Sequence, residues 1–109
     1  MKTKMENKEH LANFHIAGFT YYDGAEAFSE LKIGLELIFS IDEANRFDAR
    51  AIMLSYKKWK LGYIPREHNR VFYKLLKVGL EKNIKIRIQS LDQTDHPENQ
   101  VGVVAHLVG

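Results

Sequence analysis

The sequence predicts a small, mostly β protein, an antiparallel barrel of five or six strands with one main helix packed across an end. Short segments of alternating apolar and polar residues recur between turn signals along the 109 residues, and only one stretch has sound helical spacing. No strand–helix alternation runs through the chain, which argues against a doubly wound sheet. A chain of this length buries roughly two-thirds of its unfolded surface, enough for one core but not two.

Residues 1–10 are polar and lysine-rich without periodicity, and read as a flexible N-terminal arm ahead of a folded domain over 11–109. Leu11 to Gly18 reads as the first strand, closed where Gly18 opens a turn. The turn Phe19-Thr20-Tyr21-Tyr22-Asp23-Gly24 holds three aromatics, more than a turn needs. A short helix is expected over about 25–31, followed by a strand over Leu35–Ile41 with Glu36 and Ser40 outward. The polar segment Asp42–Asp48 ends that strand. Ala51–Tyr56 and Lys60–Ile64 pair around a turn at Lys57-Lys58, and Pro65 closes the second because it cannot donate to a ladder. The main helix spans about 66–78, with Val71, Phe72, Leu75, Leu76 and Val78 on one face and Arg70, Lys74 and Lys77 on the other, and Gly79 ends it. Ile84–Gln89 alternates strictly, as a half-buried strand must. A polar loop at Asp92–Asn99 leads to a last strand, Gln100–Val108, weakened by Gly102.

Composition removes much chemistry. With no cysteine there is no disulfide, thiolate nucleophile, iron–sulfur cluster or sulfur-ligated zinc. The serines lack a nucleophile-elbow context, the five histidines have no ligand spacing, and Gly18, Gly24 and Gly34 are too far apart for either nucleotide fingerprint. No catalysis, metal or cofactor is therefore expected. The residues before Leu11 form no apolar signal core and no apolar run approaches a membrane span, so a cytoplasmic location is expected.

The net charge of +2 hides a segregation: residues 57–87 hold ten Lys/Arg against only Glu67 and Glu81. Such a block either focuses an anionic partner onto one face or simply solvates the surface. Binding chemistry is better supplied than catalysis. Tyr21 and Tyr22 read on their own as loop packing, and otherwise as stacking platforms for bases; Asn45, Phe47 and Asp48 read on their own as a capped turn, and otherwise as polar groups and a ring for a ligand. Arg66, Arg70, Lys74 and Lys77 form a stripe suited to a phosphate backbone or to solubility, and Lys58 and Lys60 add charge beside it.

Three blocks in series, Gly18-Phe19-Thr20-Tyr21-Tyr22-Asp23-Gly24, Asn45-Arg46-Phe47-Asp48-Ala49-Arg50-Ala51-Ile52 and Leu61-Gly62-Tyr63-Ile64-Pro65-Arg66, resemble the signature of the HIRAN domain across about residues 11–90. The resemblance implies a modified OB-like barrel, found fused to helicases, nucleases or other DNA-processing enzymes and, in bacteria, as a stand-alone protein. It also implies a module that binds single-stranded DNA at its free 3′-hydroxyl end, in DNA repair or fork processing, with a helicase or nuclease acting in trans. By position, Tyr21 matches the aromatic that stacks on terminal bases, with Tyr22 its neighbour. Asn45 and Asp48 match a polar pair whose aspartate accepts from the terminal hydroxyl. Phe47 stands where a tyrosine is usual, Arg66 near a phosphate-holding basic position, and Thr20 and Tyr63 depart from an arginine and a histidine. Two rival readings are a protein-interaction module docking a peptide through the aromatic loops, and a divalent-metal hydrolase built on Asp42, Glu43 and Asp48.

Overall fold

A computed structural model describes residues 7–109, so most of the expected arm lies outside the described residues. Within them the chain is paired from Lys8: β1 spans Lys8–His15, three residues earlier than the predicted boundary at Leu11. Lys8, Glu9 and His10 lie opposite Val108, Leu107 and His106. Main-chain pairing is indifferent to side-chain polarity, so a strand can extend into a charged segment that carries no periodic signal.

The other strands are β2 (Ile38–Ile41), β3 (Ile52–Tyr56), β4 (Trp59–Tyr63), β5 (Ile84–Leu91) and β6 (Val101–Val108). They form two antiparallel three-stranded sheets, ordered β1-β6-β5 and β2-β3-β4. Two seams join the sheets into a barrel. At the first, the Ala17 and Tyr63 main chains exchange hydrogen bonds of 2.9 Å in both directions. At the second, the chain before β2 lies along β5: Gly34 N donates to Ile88 O, Ile88 N to Leu35 O and Leu37 N to Ile86 O. The expected strand over 35–41 thus serves two partners, β5 with its first half and β3 with its second, Ile38–Ile41.

The first seam depends on a glycine. Gly62 has φ 144°, and a Cβ there would stand 2.3 Å from the Ala17 carbonyl oxygen. Only a residue without a side chain lets the two strands come so close.

The barrel interior is filled by alternate residues of both sheets, among them Ile52, Leu54, Leu61, Ile86, Ile88 and Val103, all fully buried. Helix α1 (Gly24–Ala27) runs into a 3₁₀ turn at Phe28–Glu30 and together they make the predicted short helix. Helix α2 (Arg66–Lys77) starts after Pro65, whose carbonyl accepts from the His68 and Asn69 amides, and ends with Gly79 N donating to Leu76 O and Leu80 N to Leu75 O. Those last two bonds form a Schellman stop. The helix packs on the barrel through Asn69 and Phe72, both buried, with Leu75 and Leu76 partly so; Phe72 meets Phe14 edge-on at 6.1 Å. Val71 and Val78, predicted on the inward face, are 53% and 71% exposed, and Val78 lies past the last helical turn. The inward stripe begins at a polar residue, Asn69, and a search for apolar spacing alone misplaces it.

Candidate functional site

Three segments meet at the first seam. The aromatic turn Phe19–Asp23 is anchored by Phe19, which is buried, and Gly24 packs so tightly on it that a Cβ would come within 2.7 Å of the ring. Asp23 clasps β4: its amide donates to Lys60 O and its Oδ2 accepts from the Lys60 amide, both at 2.9 Å. Neither tyrosine is the core anchor. Tyr21 is 85% exposed, while Tyr22 leans edge-on against Tyr63 of β4 with ring centroids 5.8 Å apart.

Lys60 sits at this pair of rings. Its ammonium lies 4.1 Å from the Tyr22 centroid and 4.7 Å from that of Tyr63, and donates to Tyr63 Oη at 2.8 Å. The Tyr63 hydroxyl in turn donates to Asp42 Oδ2. Partial burial works against the Lys60 charge, but the Tyr63 oxygen, the rings and Asp42 outweigh it and its pKa rises above 10.5. Burial raises the Tyr63 pKa as well, helped by the bond to Asp42, so the phenol stays protonated.

The second polar loop is held by its own side chains. Asn45 Oδ1 accepts from the Phe47 and Asp48 amides at 2.8 and 2.9 Å, an Asx turn, and Asp42 Oδ1 accepts from Ala44 N. With its backbone fixed, the loop presents the Phe47 ring to solvent, 89% exposed. Asp48 Oδ1 accepts from Arg50 N at 2.9 Å; its Oδ2 accepts from Asn69 Nδ2 at 2.9 Å and lies 3.5 Å from Arg66 Nε. The Arg50 amide is the main cause that lowers the Asp48 pKa below 3.8; burial opposes it, and Asn69 and Arg66 reinforce it. Arg66 also donates to Phe47 O at 3.0 Å, tying α2 to the loop.

Tyr22, Asn45, Phe47, Asp48, Tyr63 and Arg66 line one concavity of about 220 Å³ over a base that includes Ala17, Ile64 and Pro65. Six of the seven residues expected to touch ligand therefore converge. Tyr21 does not: it borders a separate hollow with His96, Pro97 and Glu98. Of the supporting cations, Lys60 is built into the ring wall and Arg70 lines an adjoining hollow. Lys58 stands at the β3–β4 tip over Trp59, at the far end of β4 from Tyr63, and Lys74 lies two helical turns along α2 from Arg66. Part of the basic block of 57–87 is neutralised, since Lys85 and Arg87 pair with Glu36 and Lys57 with Glu30. Among the described residues no three His, Asp or Glu side chains gather to hold a metal ion. Asp42 is turned to Tyr63 and Asp48 to Arg50 and Asn69, so the carboxylates of the hydrolase reading face different partners. No helix of the described residues is long and apolar enough to cross a membrane.

Sequence reasoning missed Asn69, the buried donor that orients Asp48, and Arg50, which lies outside the basic block. A buried polar residue on an otherwise apolar helix face was the available signal for the first.

The fold is a closed β barrel with rings, cations and one firmly anchored carboxylate around a shallow cup. The chain matches the model of the HIRAN domain over residues 10–103, nearly its whole length, and belongs to that family, which is generally linked to nucleic-acid binding. A crystal structure of a protein from Lactobacillus plantarum is similar in fold, with a TM-score of 0.78 at 21% identity over 95% of this chain and 98% of that one. No curated protein matches the sequence.

Proposed function

We propose that this protein is a non-catalytic module that binds single-stranded DNA and reads its free 3′-hydroxyl end, serving a helicase or nuclease in repair or fork processing. The observation that carries this reading is the state of Asp48. A carboxylate has about four acceptor positions; the Arg50 amide and Asn69 hydrogen-bond to two of them, and Arg66 stands at ion-pair distance, 3.5 Å. Acceptor capacity remains on a group that its neighbours keep ionised and that lines the cup. A terminal hydroxyl can donate to it; a terminal phosphate has no proton to offer and is repelled, which gives selectivity for the end without selectivity for the base.

The surroundings support the same ligand. Phe47 and Tyr22 offer ring faces at the mouth of the cup, and stacking is indifferent to which base arrives. Arg66 and Lys60 place positive charge within reach of a terminal phosphodiester. Asn45 enters this scheme as the residue that shapes the loop, since its carbonyl oxygen is engaged by two amides.

Titration of 5′-labelled oligonucleotides by fluorescence anisotropy tests the reading. Strands ending in a 3′-hydroxyl are expected to bind on the order of tenfold more tightly than the same strands ending in a 3′-phosphate, and Asp48→Asn to bring the two together. Equal affinities in the wild-type protein would overturn end reading; binding to neither would overturn the nucleic-acid reading itself.

A further inference from the structure

Beside the cup lies a second hollow of about 530 Å³ that shares Phe47, Asp48 and Arg66 with it. Resting on the reading above, we propose that this hollow is a subsite for backbone phosphate, built by Arg50, Arg66 and Arg70.

Two elements supply the three guanidinium groups. Arg50 comes from the loop before β3, two residues after the carboxylate of the cup; Arg66 and Arg70 are one turn apart on α2, about 6 Å along its axis. That rise is comparable with the separation of successive phosphates on an extended strand. Arg66 is partly committed to Asp48 and the Phe47 carbonyl. Among the described residues Arg50 and Arg70 make no ion pair, and both are exposed. The carboxylates present are Asp48, whose charge is answered by Arg66, the Arg50 amide and Asn69, and Glu67. Guanidinium presents paired donors that match phosphate oxygens, and it sheds water more readily than ammonium does.

A third hollow, which shares Ala17, Pro65 and Arg66 with the cup, makes the contrast. It is as large, about 520 Å³, yet there Arg66 faces Glu67 and Glu98, and the remaining polar groups are His15, His68 and Asn99. A polyanion leaving the cup meets excess positive charge on the Arg50–Arg70 side and excess negative charge on the Glu98 side. The phosphates in question belong either to the bound strand itself or to its complement where a duplex adjoins the free end.

The test compares wild-type protein with Arg70→Gln, which leaves every partner of Asp48 in place, on three probes across a range of salt: a 3′-hydroxyl trinucleotide, a 12-mer single strand, and a duplex with a three-nucleotide 3′ overhang. The variant is expected to bind the trinucleotide within twofold of wild type. It should lose roughly threefold to fivefold on a longer probe, with the slope of log K against log salt shallower by about 0.7 for a single-strand phosphate or about 0.9 for a duplex one, one contact's worth. Loss on the 12-mer assigns the phosphates to the bound strand; loss on the overhang duplex alone assigns them to its complement. Unchanged affinity and salt slope on both longer probes would overturn the subsite while the cup reading stands. Equal loss on all three would overturn its separateness from the cup. If wild-type protein binds neither single strand, the cup reading falls and the subsite with it.

Discussion

The barrel is closed twice, and its two seams are built differently. Where β5 meets the chain before β2, three main-chain hydrogen bonds are overlaid by Glu36, which reaches Lys85 at 3.2 Å and Arg87 at 3.9 Å. Where Ala17 meets Tyr63 there are only two such bonds, made possible by a glycine, and around them gather the rings, Lys60, Asp48 and Arg66. One seam is stapled by side chains that neutralise each other. The other uses little side-chain volume for closure, and the room left over becomes the cup. The cup is the by-product of a closure made almost entirely of backbone.

The strongest way to break this contrast is Gly62→Ala. The new Cβ collides with the Ala17 carbonyl at a φ that an alanine rarely adopts, so a loss of about 3 to 5 kcal/mol in urea-denaturation stability is expected, together with loss of DNA binding. Next comes Tyr22→Ala, which removes one ring from the cup. It should weaken single-strand binding by about 1 to 3 kcal/mol, whereas Tyr21→Ala, outside the cup, should cost less in the same titration. If Tyr21→Ala proves the more damaging, the boundary of the site is drawn in the wrong place.

Asp48 sharpens the comparison through pH. Its folded pKa lies below 3.8, so its stabilising contribution is complete above that value and is lost as pH falls through the lower, folded one. The stability gap between wild type and Asp48→Asn, measured in urea at pH 7, 5 and 3, is expected to hold between the first two and shrink at the third. The smallest effect belongs to the stapled seam. Glu36→Gln should cost about 0 to 1 kcal/mol and leave DNA affinity unchanged, since Glu36 is half-exposed, its partners are a third exposed, and the pair lies at the other seam from the cup.

Much of this architecture could be read from residues alone, and the exceptions share a cause. β5, the β3–β4 hairpin and α2 announced themselves because their side chains alternate between core and water with a regular period. β1 began earlier than expected and the segment before β2 changed partners, since main-chain pairing leaves no mark on side-chain pattern. Most of the cup was legible from three short blocks, and what those blocks encode physically is now visible: Gly62 permits the seam, Gly24 seats Phe19, and Asn45 folds the loop that carries Asp48. Asn69 and Arg50 were hidden because each acts through a contact distant in sequence or through its backbone amide. The charge count overstates the unpaired positive charge for a related reason, as Lys57, Lys85 and Arg87 of the basic block pair with Glu30 and Glu36.

The clasp between Asp23 and the Lys60 main chain hangs the aromatic turn on β4 almost as though it were another strand. Tyr22, packed on Tyr63 beside Lys60, is thus seated by contacts of the fold itself. On the proposed function, association with a strand would lose little conformational entropy in ordering this ring, and its rate would be set by diffusion and the field of the nearby arginines.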